Sequence, residues 1–123
     1  MSKSALWILL AVLLLAAGLR LDGVGRDTRL HGDEALFASF ARLMVLQGDW
    51  NLYEVPTDKP PTTFALVGSS LLLLGEHEFA VRLPNAFVSL IGVAVVFQIG
   101  RHLVGSNSGG MVAALLLALS PLN

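Results

Sequence analysis

Residues 83–100 read LPNAFVSLIGVAVVFQIG, eighteen residues without a charged side chain. As a helix rising about 1.5 Å per residue, such a run covers about 27 Å, close to the roughly 30 Å hydrocarbon core of a bilayer. It is the clearest transmembrane candidate in the chain, and it sets the fold class. Arg82 precedes it, and Arg101 and His102 follow it in a short turn, RHLVGSNSGG. Met111–Leu122 then begins another apolar helix, interrupted by Ser120-Pro121.

The composition agrees. Of 123 residues, 54% are hydrophobic and only 14% charged, with a mean hydropathy of +0.71. A soluble domain carries about 25% charged residues, so the balance points to a membrane protein. The absence of cysteine excludes disulfides, thiolate metal sites and a cysteine nucleophile. A net charge of -1 and the lack of a basic stripe give no support for nucleic-acid binding.

Charge is unevenly placed. All nine acidic residues lie between Asp22 and Glu78, and six of the eight basic ones between Arg20 and Arg82. A polar middle is therefore flanked by two apolar ends. At the first end, Ala5–Leu19 is uncharged between Lys3 and Arg20. Fifteen residues cover about 22 Å, and the two flanking cations can snorkel to extend the span. A cleaved signal peptide ending near Ala16-Ala17-Gly18 is the alternative, and it would leave a secreted soluble segment. The later spans favour an uncleaved helix.

Between the spans, residues 20–33 mix glycines with charges and read as an exposed loop. In ALFASFARLMVLQ, Leu36, Phe37, Phe40, Leu43, Met44 and Gln47 recur at helical spacing, with Ser39 and Arg42 opposite. That pattern predicts an amphipathic helix ended by Gly48 and too short to span. Residues 49–61 bring Trp50 and Tyr53, the aromatic type enriched at membrane interfaces. Pro56, Pro60 and Pro61 break any continuous helix there. Thr62–Leu74 predicts a second short apolar helix closed by Gly75. The expected architecture is all-α and membrane-bound, with spans at 5–21 and 84–103 and the start of a third at 109–122. An extracytoplasmic loop at 22–82 holds juxtamembrane helices near 34–47 and 61–75. Lys3 and Arg101 place the N-terminus in the cytoplasm of a multi-pass plasma (inner) membrane protein. The positive-inside rule is met only in part, because the loop keeps five cations and Arg20 borders it, and cations held on the disfavoured side imply a use.

Candidate chemistry begins with HGDEALFASF at 31–40. Asp33 fits a helix N-cap, with Glu34 in the first turn where the helix dipole favours negative charge. Alternatively, Asp33 is a catalytic carboxylate at a membrane surface. Lys59 and Arg82 each border an apolar segment. They suit either snorkelling or the phosphate of a lipid-borne leaving group. His31 beside the two carboxylates leaves a divalent metal as an open requirement, although no HExxH spacing exists. No Walker loop, GxSxG or GxGxxG occurs either.

The order of features, an Asp-Glu pair opening a helix, then GDW, KPP, LLG and RLP leading into a span, resembles the N-terminal region of GT-C membrane glycosyltransferases. The nearest resemblance is to dolichyl-phosphate-mannose–protein mannosyltransferases and the bacterial lipid A aminoarabinose transferase. It implies hexosyl or pentosyl transfer from a polyprenyl-phosphate donor to a protein or lipid acceptor on the extracytoplasmic side. The chain would be the N-terminal part of a longer protein and inactive by itself. By the same resemblance, Asp33 matches the catalytic aspartate, Glu34 its acidic neighbour, Lys59 the lysine approaching the carrier phosphate, and Asp58 an acidic metal ligand. Leu36 and Phe37 stand where the aminoarabinose enzyme has Arg and Tyr, which leaves the acceptor open. A competing expectation is a small non-enzymatic membrane protein that binds lipid or a partner subunit.

Overall fold

A computed structural model of the protein describes residues 3–25, 29–53, 55 and 59–120. Its elements are five helices: α1 (Lys3–Gly25), α2 (Gly32–Leu46), α3 (Pro61–Leu74), α4 (Glu78–Val104) and α5 (Asn107–Leu119). Among the described residues there is no strand. The chain divides into two compact units, one made of Met1–Gly23 with Ala86–Asn123, the other of Val24–Asn85.

The first unit joins most of α1 and α4 with all of α5. Its core is Leu9, Val12 and Ala16 of α1, Val93 and Phe97 of α4, and Ala114 and Ala118 of α5. On α1 the buried positions 5, 9, 12 and 16 recur at alternating spacings of four and three, which keeps one seam facing its neighbours. Helices α4 and α5 meet backbone to backbone. A Cβ added to Gly110 would lie 2.5 Å from the Phe97 carbonyl oxygen, and one on Gly100 would lie 2.9 Å from the Ala113 Cβ. Such small-residue contacts let apolar helices pack without a hydrophobic driving force between them. Between the two helices, Gly105 turns the chain at φ +67, and the Ser106 hydroxyl accepts from the Gly109 amide at 3.2 Å. The outer faces remain apolar and bare, with Trp7, Leu14, Ile91 and Leu116 all exposed. Helices α1 and α4 are long and apolar enough to cross a membrane. Only 22% of the most apolar window of each is buried, unlike the core helix of a soluble protein.

Two boundaries differ from the sequence reading. Helix α1 continues through RLDGVG to Gly25, where an exposed loop was expected. Val24 is buried there, and the Arg20 side chain turns inward, so tertiary contacts override the weak local propensity. Helix α4 begins at Glu78 and carries Pro84 in its second turn. The amide that proline lacks would have bonded the Ala80 carbonyl.

The second unit is built on α2 and α3. Its core comprises Ala38, Ala41 and Met44 of α2, Leu52 of the connection that follows, Phe64, Val67 and Leu71 of α3, and Ala80 and Val81 at the start of α4. The Phe64 ring receives Phe37 and Phe40 edge-on, at centroid distances of 5.7 and 5.2 Å. The helices approach closely at Gly68, where a Cβ would meet Val45 Cγ1 at 2.6 Å. This shifts the buried face of α2 by about one residue from the expected stripe. Ala38 and Ala41 face the core because α3 sits close enough to need small side chains there, while Leu36 is exposed. Helix α2 ends before Gly48 (φ +75), as its sequence predicts.

Candidate functional site

The first turn of α2 carries the polar cluster. Its N-cap is His31, not Asp33, and the helix starts at Gly32. Asp33 is therefore the second helical residue and Glu34 the third, so the capping reading of Asp33 does not hold. Glu34 does the capping work instead. Its carboxylate accepts from the His31 backbone amide at 3.0 Å, the carboxylate half of a capping box.

The same carboxylate receives Arg82 from the start of α4. Arg82 Nε donates to Glu34 Oε1 at 3.1 Å and to Oε2 at 3.3 Å, and Nη2 donates to Oε2 at 3.0 Å. Nη2 also donates to the Arg29 carbonyl at 3.3 Å. The fork of the guanidinium suits this two-oxygen approach. The side chains are 13% and 33% exposed, so the pair is partly shielded from water. The Arg82 hydrogen bond holds the Glu34 carboxyl below the usual carboxylate range, outweighing the desolvation that would raise it. Arg82 thus ties together residues 29 and 34, on either side of Asp33.

Asp33 itself is exposed. Among the described residues, its carboxylate forms no hydrogen bond or ion pair. It sits in the first turn, where free amides and the helix dipole favour negative charge. Lys59 is exposed immediately before α3, whose N-cap is Pro60. Asp58 lies outside the described residues. Among those described, no three His, Cys, Asp or Glu side chains converge on a common point. An open apolar groove of about 570 Å³ is lined by Leu9, Ile91, Val95, Gln98 and His102 among others. It contains none of the candidate site residues.

Of the predicted set, the structure brings Glu34 and Arg82 into direct contact with Asp33 as their neighbour on the chain. The sequence reading missed the backbone partners, the His31 amide and the Arg29 carbonyl. Neither is marked in the sequence: His is not a preferred cap, so Glu34 three residues after His31 does not read as a capping box, and the Arg29 carbonyl leaves no local pattern.

Long apolar helices with bare outer faces, joined by a chain that carries a carboxylate–arginine cluster, make this an all-α membrane protein. Residues 58–123, just over half of the chain, match the model of the dolichyl-phosphate-mannose-protein mannosyltransferase family, and the chain belongs to that family of glycosyltransferases. The matched segment includes Lys59 and Arg82 and begins after Asp33 and Glu34. No curated protein and no solved structure matches the chain.

Proposed function

We propose that the chain contributes the acceptor-activating part of a transferase that moves a sugar from a polyprenyl-phosphate donor to a hydroxyl of a protein or lipid acceptor. The reaction takes place on the extracytoplasmic side of the plasma (inner) membrane, with residues 22–82 on that side. Asp33 is the general base. It takes the acceptor hydroxyl proton as the oxygen attacks the anomeric carbon and the bond from that carbon to the phosphate oxygen breaks. The departing phosphate keeps the electron pair. Lys59 lies beside the carrier phosphate and offsets its growing charge, the kind of electrostatic help such a step needs. Where a divalent ion takes part, Asp58 is its ligand from this chain.

The observation that supports this reading most directly is the contrast between two adjacent carboxylates. Glu34 is engaged by Arg82 and the His31 amide, while Asp33 is exposed and unpartnered among the described residues. A base must have a free lone pair within reach of the acceptor, and Asp33 alone of the two offers one. Glu34 and Arg82 then serve to hold Asp33 in place. This moves Arg82 from the carrier phosphate, where the sequence reading put it, to a positioning role. Sugar transfer by the intact membrane protein tests the assignment: Asp33→Asn abolishes transfer while insertion survives. Transfer at the wild-type rate by that variant would sink the role of Asp33.

A further inference from the structure

Arg20 is a cation inside α1, five residues before the helix ends at Gly25. A snorkelling role would turn its side chain outward. Instead the guanidinium points into the first unit and contacts three helices. Nε donates to the Ser89 hydroxyl of α4. Nη1 donates to the Ala118 carbonyl of α5 at 3.2 Å and makes a longer contact with the Ala16 carbonyl of its own helix at 3.5 Å. Nη2 donates to the Leu117 carbonyl at 3.2 Å. Every one of these acceptors is neutral.

The two α5 carbonyls explain the arrangement. They belong to the last four of the helix, which have no amide partner within it. Helix α5 has no basic residue in its own last turn. Its C-cap amide, Ser120, reaches only Leu117 O, at 3.3 Å. The next residue is Pro121, which has no amide to donate. Among the described residues no other amide reaches the Ala118 carbonyl from beyond the helix end, and in a hydrocarbon setting water does not satisfy such a group. A guanidinium supplies several donors in one plane, and its positive charge meets the negative end of the α5 dipole. The charge is thus balanced without a carboxylate.

We propose that Arg20 is an interhelical C-cap: one side chain from α1 closes the free carbonyl end of α5 and, through Ser89, pins α4 to the same point. It is a positioning residue that sets where α5 ends and how the three helices of this unit register. The account also gives a use to a cation that the positive-inside pattern disfavours. Lysine keeps the charge but not the planar fork, so it separates the cap from simple snorkelling.

This chain contains no cysteine, so a cysteine introduced into it is a unique probe once any cysteines elsewhere in the intact protein are replaced by serine. Ala118 is 2% exposed, and its thiol in an Ala118→Cys background reports opening of the α5 end. The measurement is the labelling rate by a water-soluble maleimide, made on the intact protein in its membrane. With Arg20→Lys the rate should rise about tenfold, and with Ser89→Ala about two- to threefold. Equal rates for Arg20→Lys and its parent would overturn the proposal, since a snorkelling cation tolerates that exchange. If Arg20→Lys fails to accumulate, Arg20→Gln decides. It carries uncharged donors to the same carbonyls and should accumulate better than Arg20→Lys under the cap account, and no better if charge alone matters.

Discussion

The two units solve the same packing problem with different materials. In the first, α4 and α5 touch through Gly100, Gly109 and Gly110, and the core is filled by side chains no larger than Phe97. In the second, α2 and α3 are held by an aromatic cluster around Phe64, and the Glu34–Arg82 pair ties α2 to the start of α4. Between lipid-facing helices, apolar side chains gain little by leaving lipid for protein, so close backbone approach and a satisfied polar hub must supply cohesion. Where water is present, burying a large ring is rewarded directly. Helices α1 and α4 are long and apolar enough to cross a membrane, and the second unit carries the Glu34–Arg82 pair.

The contrast can be broken from either side. The largest effect is expected from Phe64→Ala, which empties the centre of the second unit and should cost it about 3–5 kcal/mol. Thermal unfolding read from Trp50 in a Trp7→Phe background would register the loss. Unchanged stability would mean the aromatic cluster contributes little. Gly110→Val is the matching test of the first unit. Its Cβ would fall 2.5 Å from a carbonyl oxygen that cannot move aside, so α4 and α5 should separate at about 1–3 kcal/mol or more. Trp7 in a Trp50→Phe background reads that unit, and a well-tolerated valine would show that the helices do not meet there.

Acid provides a smaller and more specific probe. Arg82 holds the folded-state Glu34 carboxyl below its ordinary value of 4.5, so the unfolded chain binds that proton more readily than the folded one. The pair's stabilisation is therefore complete above that ordinary value and disappears as pH falls through the lowered one. Charged hydrogen bonds of this kind contribute about 1–2 kcal/mol once partial exposure is discounted. Glu34→Gln should flatten the acid limb of the second unit's stability profile and leave the first unit's unchanged. An unaltered limb would remove the pair from the account. The Arg42–Glu76 bridge at 2.9 Å is about half exposed on both sides and should not show in such a profile.

Several of these features are legible in the sequence and others are not, for identifiable reasons. Leu83–Gly100 announces itself by the absence of charge over its length. Gly48 marks the end of α2 because only a residue tolerant of positive φ suits that position. The start of α2 is misleading, because Asp is a preferred cap and His is not, yet the helix begins after His31. RLDGVG is misread as a loop for a related reason. Its glycines and charges are poor helix material, and what holds it helical is Arg20 reaching α4 and α5, far away in sequence. Glu34 and Arg82 were both candidates, but their pairing spans 48 positions and leaves no local pattern. What the sequence could not reveal about Asp33 and Glu34 is which of the two is free.

That difference is best tested by sugar transfer with Asp33→Asn and Glu34→Gln, compared in the intact protein at matched levels in the membrane. Loss of a general base costs about 10²–10⁴-fold, so Asp33→Asn should fall at least a hundredfold with the stability of the second unit unchanged. Glu34→Gln should lose less activity and should lose it together with stability. Wild-type transfer by Asp33→Asn, or a greater loss in Glu34→Gln at full stability, would contradict the division of labour between the two carboxylates.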